Sequence, residues 1–200
     1  VFVMKRLLLI LILTLSFQSW TIAEDIKDFQ IEGLGIGDSL LIKYSRNEIE
    51  NFLKASYYND DEYTTIESLK LPDESKYDYI SYSYKTKDDK YIIVGLIADI
   101  DSIKSFNNNI DKCYPLKEQI VNDLKSVFLN SDQQDNGKRP HPIDKSGKSK
   151  VSTYAFYPKN GGFVSVSCYD WSDEIGYADS LRVGFTSNVF NNWLNNKAYN

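Results

Sequence analysis

Cys113 and Cys168 are the only cysteines among 200 residues, and no other feature constrains the fold more. In an oxidising compartment an even count favours a disulfide. The bond closes a loop of about 55 residues, for which chain entropy gives roughly 4 kcal/mol. A typical domain has a net stability of only about 5–15 kcal/mol, so this share is large. Two separate buried thiols are the alternative. Zinc is disfavoured because Cys113, Cys168 and the single His141 show no close ligand spacing. The Cys-x-x-Cys of a thioredoxin-type site is absent.

The first residues supply the oxidising compartment. Lys5 and Arg6 precede an apolar run from Leu7 to Leu15, and Thr21-Ile22-Ala23 leads into Glu24-Asp25. This is the layout of a secretory signal peptide, residues 1–23, with residues 24–200 as a single exported domain, periplasmic or secreted. The run falls short of the about 20 apolar residues of a membrane span, so no stable insertion is expected after cleavage. An uncleaved anchor is the alternative. With 23 Lys plus Arg against 28 Asp plus Glu, the net charge is −5, which excludes a sequence-independent grip on nucleic acid. Hydrophobic residues at 42% supply enough apolar mass for a core.

Along residues 24–200 the pattern predicts an α+β domain. Ser45 and Glu48 form a capping box ahead of a short stripe of Ile49, Phe52 and Leu53. Residues 56–76 are polar and predict a surface loop. Ile80, Tyr82 and Tyr84 alternate with polar residues, and 91–97 reads as a returning buried strand. Pro115 opens the strongest helix, with Leu116, Ile120, Leu124, Val127 and Phe128 at helical spacing. Residues 130–150 are hydrophilic and predict a mobile loop. Strands at 151–157, 163–169 and 181–186 follow, then a closing helix through Val189, Phe190, Trp193 and Leu194. In the middle strand Cys168 shares a face with Val164 and Val166. The order β-β-α-β-β-β-α predicts an antiparallel sheet with helices on one face and the disulfide tying the main helix to the sheet.

Three groups of residues are candidates for chemistry. The run 170–179 gathers Asp170, Asp173, Glu174 and Asp179 around a glycine, a composition that suits calcium although its spacing is not that of an EF-hand; a solvated acidic turn is the alternative. Trp171 in that turn can stack on a sugar or a peptide, or cover the edge of the core. Tyr82 and Tyr84, with their tyrosine neighbours, offer a binding platform or, as cross-strand pairs, fill a half-buried face. Lys138, Arg139, Lys145, Lys148 and Lys150 make a local basic cluster.

Gly37-Asp38-Ser39-Leu40 resembles the first block of the GDSL esterases and lipases. That resemblance implies Ser39 as nucleophile, with a base supplied by a C-terminal Asp-x-x-His. Lys138 stands three residues before His141, so the second block is missing. Without it, Gly37 breaks the chain, Asp38 caps, and Leu40 and Leu41 pack.

Phe29-Gln30-Ile31-Glu32-Gly33, Ile36 through Leu41, Ser167-Cys168-Tyr169-Asp170-Trp171, Trp193-Leu194 and Ala198-Tyr199 resemble a set of small exported proteins of AT-rich marine alphaproteobacteria. The resemblance implies a Gram-negative periplasm and brings no assigned activity. With no cofactor fingerprint and no coherent catalytic set, the expectation is a binding or envelope-associated protein. Its partner would be a small molecule, a glycan or an envelope protein.

Overall fold

A computed structural model describes residues 26–55, 57–68, 71, 75–101 and 109–200. The leader expected at 1–23 lies outside the described residues. The fold is α+β, built on a large antiparallel sheet with few helices and one disulfide.

Near the start, β1 (Gln30–Ile31) and β2 (Leu34–Gly35) form a small ribbon, and α1 (Arg46–Asn51) follows. The expected capping box starts α1: the Ser45 amide donates to Glu48 Oε2 at 2.8 Å, and the Glu48 amide donates to Ser45 Oγ at 3.3 Å. The main sheet contains β3 (Leu53–Ala55), β4 (Tyr63–Ser68), β5 (Tyr79–Lys85) and β6 (Ile93–Asp101), then β7 (Asp132–Pro140), β8 (Lys150–Tyr157), β9 (Phe163–Asp170) and β10 (Ser180–Thr186). Its spatial order is β3-β4-β5-β6-β10-β9-β8-β7, every pair antiparallel. Between β6 and β7 runs α2 (Cys113–Val127), and α3 (Asn188–Asn196) closes the chain.

Side-chain alternation gives the sheet two unlike faces. On the packed face, Leu181 lies opposite Cys168 and Ile100, Val183 opposite Val166 and Ala98, and Phe185 opposite Val164 and Leu96. These residues join Val121, Leu124 and Phe128 of α2 and its C-cap, and Leu34, Leu40 and Ile49 of the N-terminal segment, in one buried cluster. Cys113, the first residue of α2, is bonded to Cys168 inside it, and both are buried. The bond thus ties the main helix to the sheet, as the pattern predicts.

The second face is different. Among the described residues, a smaller cluster of Tyr63, Phe190, Trp193 and Ala198 covers one end of it. Gly95 permits this: a Cβ there would stand 2.5 Å from Phe190 Cε1. The expectation that helices pack on one face is therefore corrected, because α2 and α3 lie on opposite faces.

Two expected loops contain strands. β4 falls within 56–76: Ile66 faces the core, while Tyr63 and Thr65 face the other way. β7 falls within 130–150 and is exposed along nearly its whole length. It is held by backbone pairing to β8, with a register shift between Asp135 and Lys138 where Gly137 takes φ +57°. A strand whose side chains all meet water carries no alternation to read.

Candidate functional site

The open face of the sheet is the candidate site. Cross-strand register lines up Tyr79, Asp99, Arg182, Ser167 and Thr153 across β5, β6, β10, β9 and β8. The next row holds Glu67, Ser81, Ile97, Gly184, Ser165, Ala155 and Gln134. Most of these side chains are short or carry hydroxyls, so the floor between the two ends is low; Ser81, Asp99, Gly184, Ser167 and Ala155 are buried in it, and Tyr79, Ile97, Arg182, Ser165 and Thr153 are partly exposed. Thr153 and Ser167 hydroxyls bond at 2.9 Å, and Thr65 and Ser83 at 2.7 Å.

At the centre, Asp99 is 0% exposed, yet ionisable. Arg182 Nε donates to both its oxygens, at 2.9 and 3.2 Å. Burial raises the Asp99 carboxyl above its usual range, against the opposing pull of Arg182. The Tyr79 hydroxyl lies against the same pair, and burial together with the Asp99 charge pushes it up to about 12. A buried pair of this kind contributes little net stability, because desolvation offsets the attraction.

One end of the floor is walled by α3 and the segment that leads into β4. Trp193 Nε1 donates to Asp60 Oδ1 at 2.8 Å, the Tyr58 ring packs 4.9 Å from Trp193, and the Tyr57 hydroxyl donates to Glu67 Oε1 at 2.8 Å. Tyr57 itself remains 59% exposed.

The other end is an aromatic group. The His141 ring lies 4.3 Å from Trp171 and 5.7 Å from Tyr169; Trp171 is nearly parallel to Tyr169, and Tyr177 meets its edge at 5.1 Å. Arg182 stands over the Tyr169 ring at 4.9 Å. Burial, then the charges of Arg139 and Arg182, depress the His141 imidazole, and Asp144 opposes them.

Asp144 positions this end. Its carboxylate accepts from the amides of Ser146 and Ser149 at 2.8 and 2.7 Å and from both their hydroxyls at 2.6 Å. These bonds hold it well below the ordinary carboxylate range. Ser149 Oγ in turn accepts from the Ser172 amide at 3.0 Å, fixing the turn beside Trp171.

The acids of 170–179 do not converge. Asp170 pairs with Lys138 at 2.8 Å, Glu174 pairs with Lys148, and Asp179 accepts from the Trp171 amide at 2.7 Å. Asp173 is exposed at the mouth of a shallow hollow beside Trp171. Among the described residues no three His, Cys, Asp or Glu side chains are placed to hold a metal. Two members of the basic cluster, Lys138 and Lys148, are the partners of these acids.

Tyr82 and Tyr84 turn inward and are buried in the main core. The platform expected of them is replaced by the rings at the two ends of the open face. Ser39 Oγ donates to the Lys90 carbonyl at 2.5 Å and accepts from the Leu41 amide at 3.2 Å. It caps the turn Leu40–Ile42 in the place expected for Asp38, whose carboxylate instead accepts from the Gly35 amide at 2.8 Å. His141 Nδ1 accepts from the Ile143 amide at 3.3 Å in a separate cluster, so the two halves of a hydrolase pair are not brought together.

No family model, curated protein or solved structure matches this chain. Among the described residues no helix is long and apolar enough to cross a membrane.

The central pair was missed by sequence reasoning. Asp99 interrupts an apolar strand between Ala98 and Ile100, and Arg182 stands between Leu181 and Val183. Each signals an opposite-facing position, but their meeting depends on a register between strands 83 residues apart.

Proposed function

We propose that the protein is an exported, periplasmic binding module that holds a polar, extended ligand, a glycan chain, on the open face of its sheet. The carrying observation is the Asp99–Arg182 pair, held on a hydroxyl-lined face that has aromatic groups at both ends. Flat rings beside hydrogen-bonding side chains suit sugars, whose faces are apolar and whose edges are hydroxyls. Support for export comes from the leader pattern and from the disulfide, which is characteristic of oxidising compartments.

The test is a screen of soluble oligosaccharides by Trp fluorescence and calorimetry, with Ser165→Trp as the blocking variant. Ser165 lies on the floor and outside both buried clusters, so the variant obstructs the face while leaving the cores intact. Binding by the native chain that is lost in Ser165→Trp supports the reading. Binding that survives the substitution, or no binding across the screen, overturns it.

A further inference from the structure

We infer that the ligand of the open face is an acidic glycan, whose carboxylates are received by Arg182 and Arg139 beside the Tyr169–Trp171 rings. This inference rests on the open-face reading and specifies its ligand.

The charges on this face are unequally distributed. Arg182 engages Asp99 through Nε, which leaves its two Nη groups for other acceptors. The Tyr79 hydroxyl is one neighbour, and 35% of the side chain faces solvent. A guanidinium laid over an aromatic ring is held in place without losing its donors.

Arg139 is exposed on β7, in register with Val151 and, through it, Tyr169. Among the described residues it has no ion pair. Both guanidiniums act on His141, so their fields overlap at the aromatic end of the floor.

Of the acids nearby, Asp173 beside Trp171 stays exposed, and the others are held in place. Asp99 lies buried beneath Arg182, Asp144 is surrounded by donors in its own loop, and Asp170, on the packed face, is held by Lys138. Glu67 stands toward the opposite end, accepting from Tyr57. At the His141 ring the two guanidiniums outweigh Asp144, so a chain with net charge −5 presents a locally positive spot there. Charge complementarity selects an anion there.

The rings select the rest of the ligand. Trp171 is partly exposed and Tyr177 is 63% exposed, a surface that suits the apolar face of a pyranose. A guanidinium fork suits the planar carboxylate of a uronic acid, and the bonds are charge-assisted.

The experiment is calorimetric titration of the full chain with tetragalacturonate and with its methyl ester, which keeps the rings and removes the charges. The acid is expected to bind, with the ester about 10- to 100-fold weaker, the range for losing one charge-assisted hydrogen bond. Arg139→Gln, an exposed substitution, should weaken the acid by about tenfold and the ester little. Affinity for the acid should fall as salt rises. Equal affinity for acid and ester, or an unchanged Arg139→Gln, overturns the acidic-glycan inference and leaves the open face as a binding surface. If neither probe binds while a neutral oligosaccharide does so in a manner blocked by Ser165→Trp, this inference alone falls. If no sugar of either kind binds, both fall.

Discussion

Arg182 reaches across one strand pairing to place its Nε between the two carboxylate oxygens of Asp99, at 2.9 and 3.2 Å, on the less covered side of the sheet. Asp99 has no access to solvent, whereas Arg182 keeps some. The two partners are therefore unequal. Arg182→Ala strands a buried charge and is expected to destabilise by about 3–5 kcal/mol, while replacing both residues by apolar ones of similar volume recovers most of the loss. Urea denaturation of the single and double variants measures this.

The same pair sets a pH dependence. The folded-state carboxyl of Asp99 lies above its ordinary value, so folding favours its protonated form. In Arg182→Ala the opposing guanidinium is gone and the rise is larger. The deficit of the variant should be full near neutral pH and shrink as pH falls toward 4, as protonation removes the stranded charge. Denaturation midpoints of native and variant chains across that range test the sign.

The Cys113–Cys168 bond closes its loop inside the main core. Reduction, or Cys113→Ser with Cys168→Ser, is expected to cost about 4 kcal/mol in chain entropy. Native protein should show no alkylatable thiol by intact mass, and the reduced form should unfold at lower denaturant.

Gly95 accommodates the ring of Phe190, with 2.5 and 2.7 Å between a built Cβ and two ring carbons. Gly95→Ala forces that ring away and should destabilise by about 1–3 kcal/mol through overpacking. Trp193 packs 5.4 Å from the same ring, so its fluorescence reports the displacement. An unshifted emission with unchanged stability would remove the idea that this glycine seats α3.

Asp144 is the anchor of the loop beside Trp171. Its carboxyl is depressed, so its contribution to folding is present above the ordinary carboxylate range and is lost as pH falls through and below it. Asp144→Ala should reduce the hydrogen-exchange protection of the Ser146 and Ser149 amides and alter Trp171 emission at neutral pH. The native chain should lose that protection only in acid.

Much of the framework was legible because its elements carry their own pattern. Cys168 among Val164 and Val166 announced its face, and Leu116 through Phe128 announced a helix. β7 was illegible because Asp132 through Pro140 bury almost nothing; only its backbone pairing defines it. The face chosen by α3 was illegible for another reason. An amphipathic stripe says that Phe190 and Trp193 are covered, not by which side of the sheet, and that depends on the missing side chain at Gly95. Of the candidate site, Trp171 was visible as an aromatic outside the periodic strands. Asp99 and Arg182 were visible only as polar residues in apolar strands, without the register that joins them.

The rim strand β7 offers a further consequence. Its shifted register at Gly137, the cations Lys138 and Arg139, and the terminal Pro140 make its outer backbone a poor template for another strand. Two chains should therefore not join along this margin even when concentrated, which resists fibrillar growth from it. A visitor has to approach from above the sheet instead of extending it sideways.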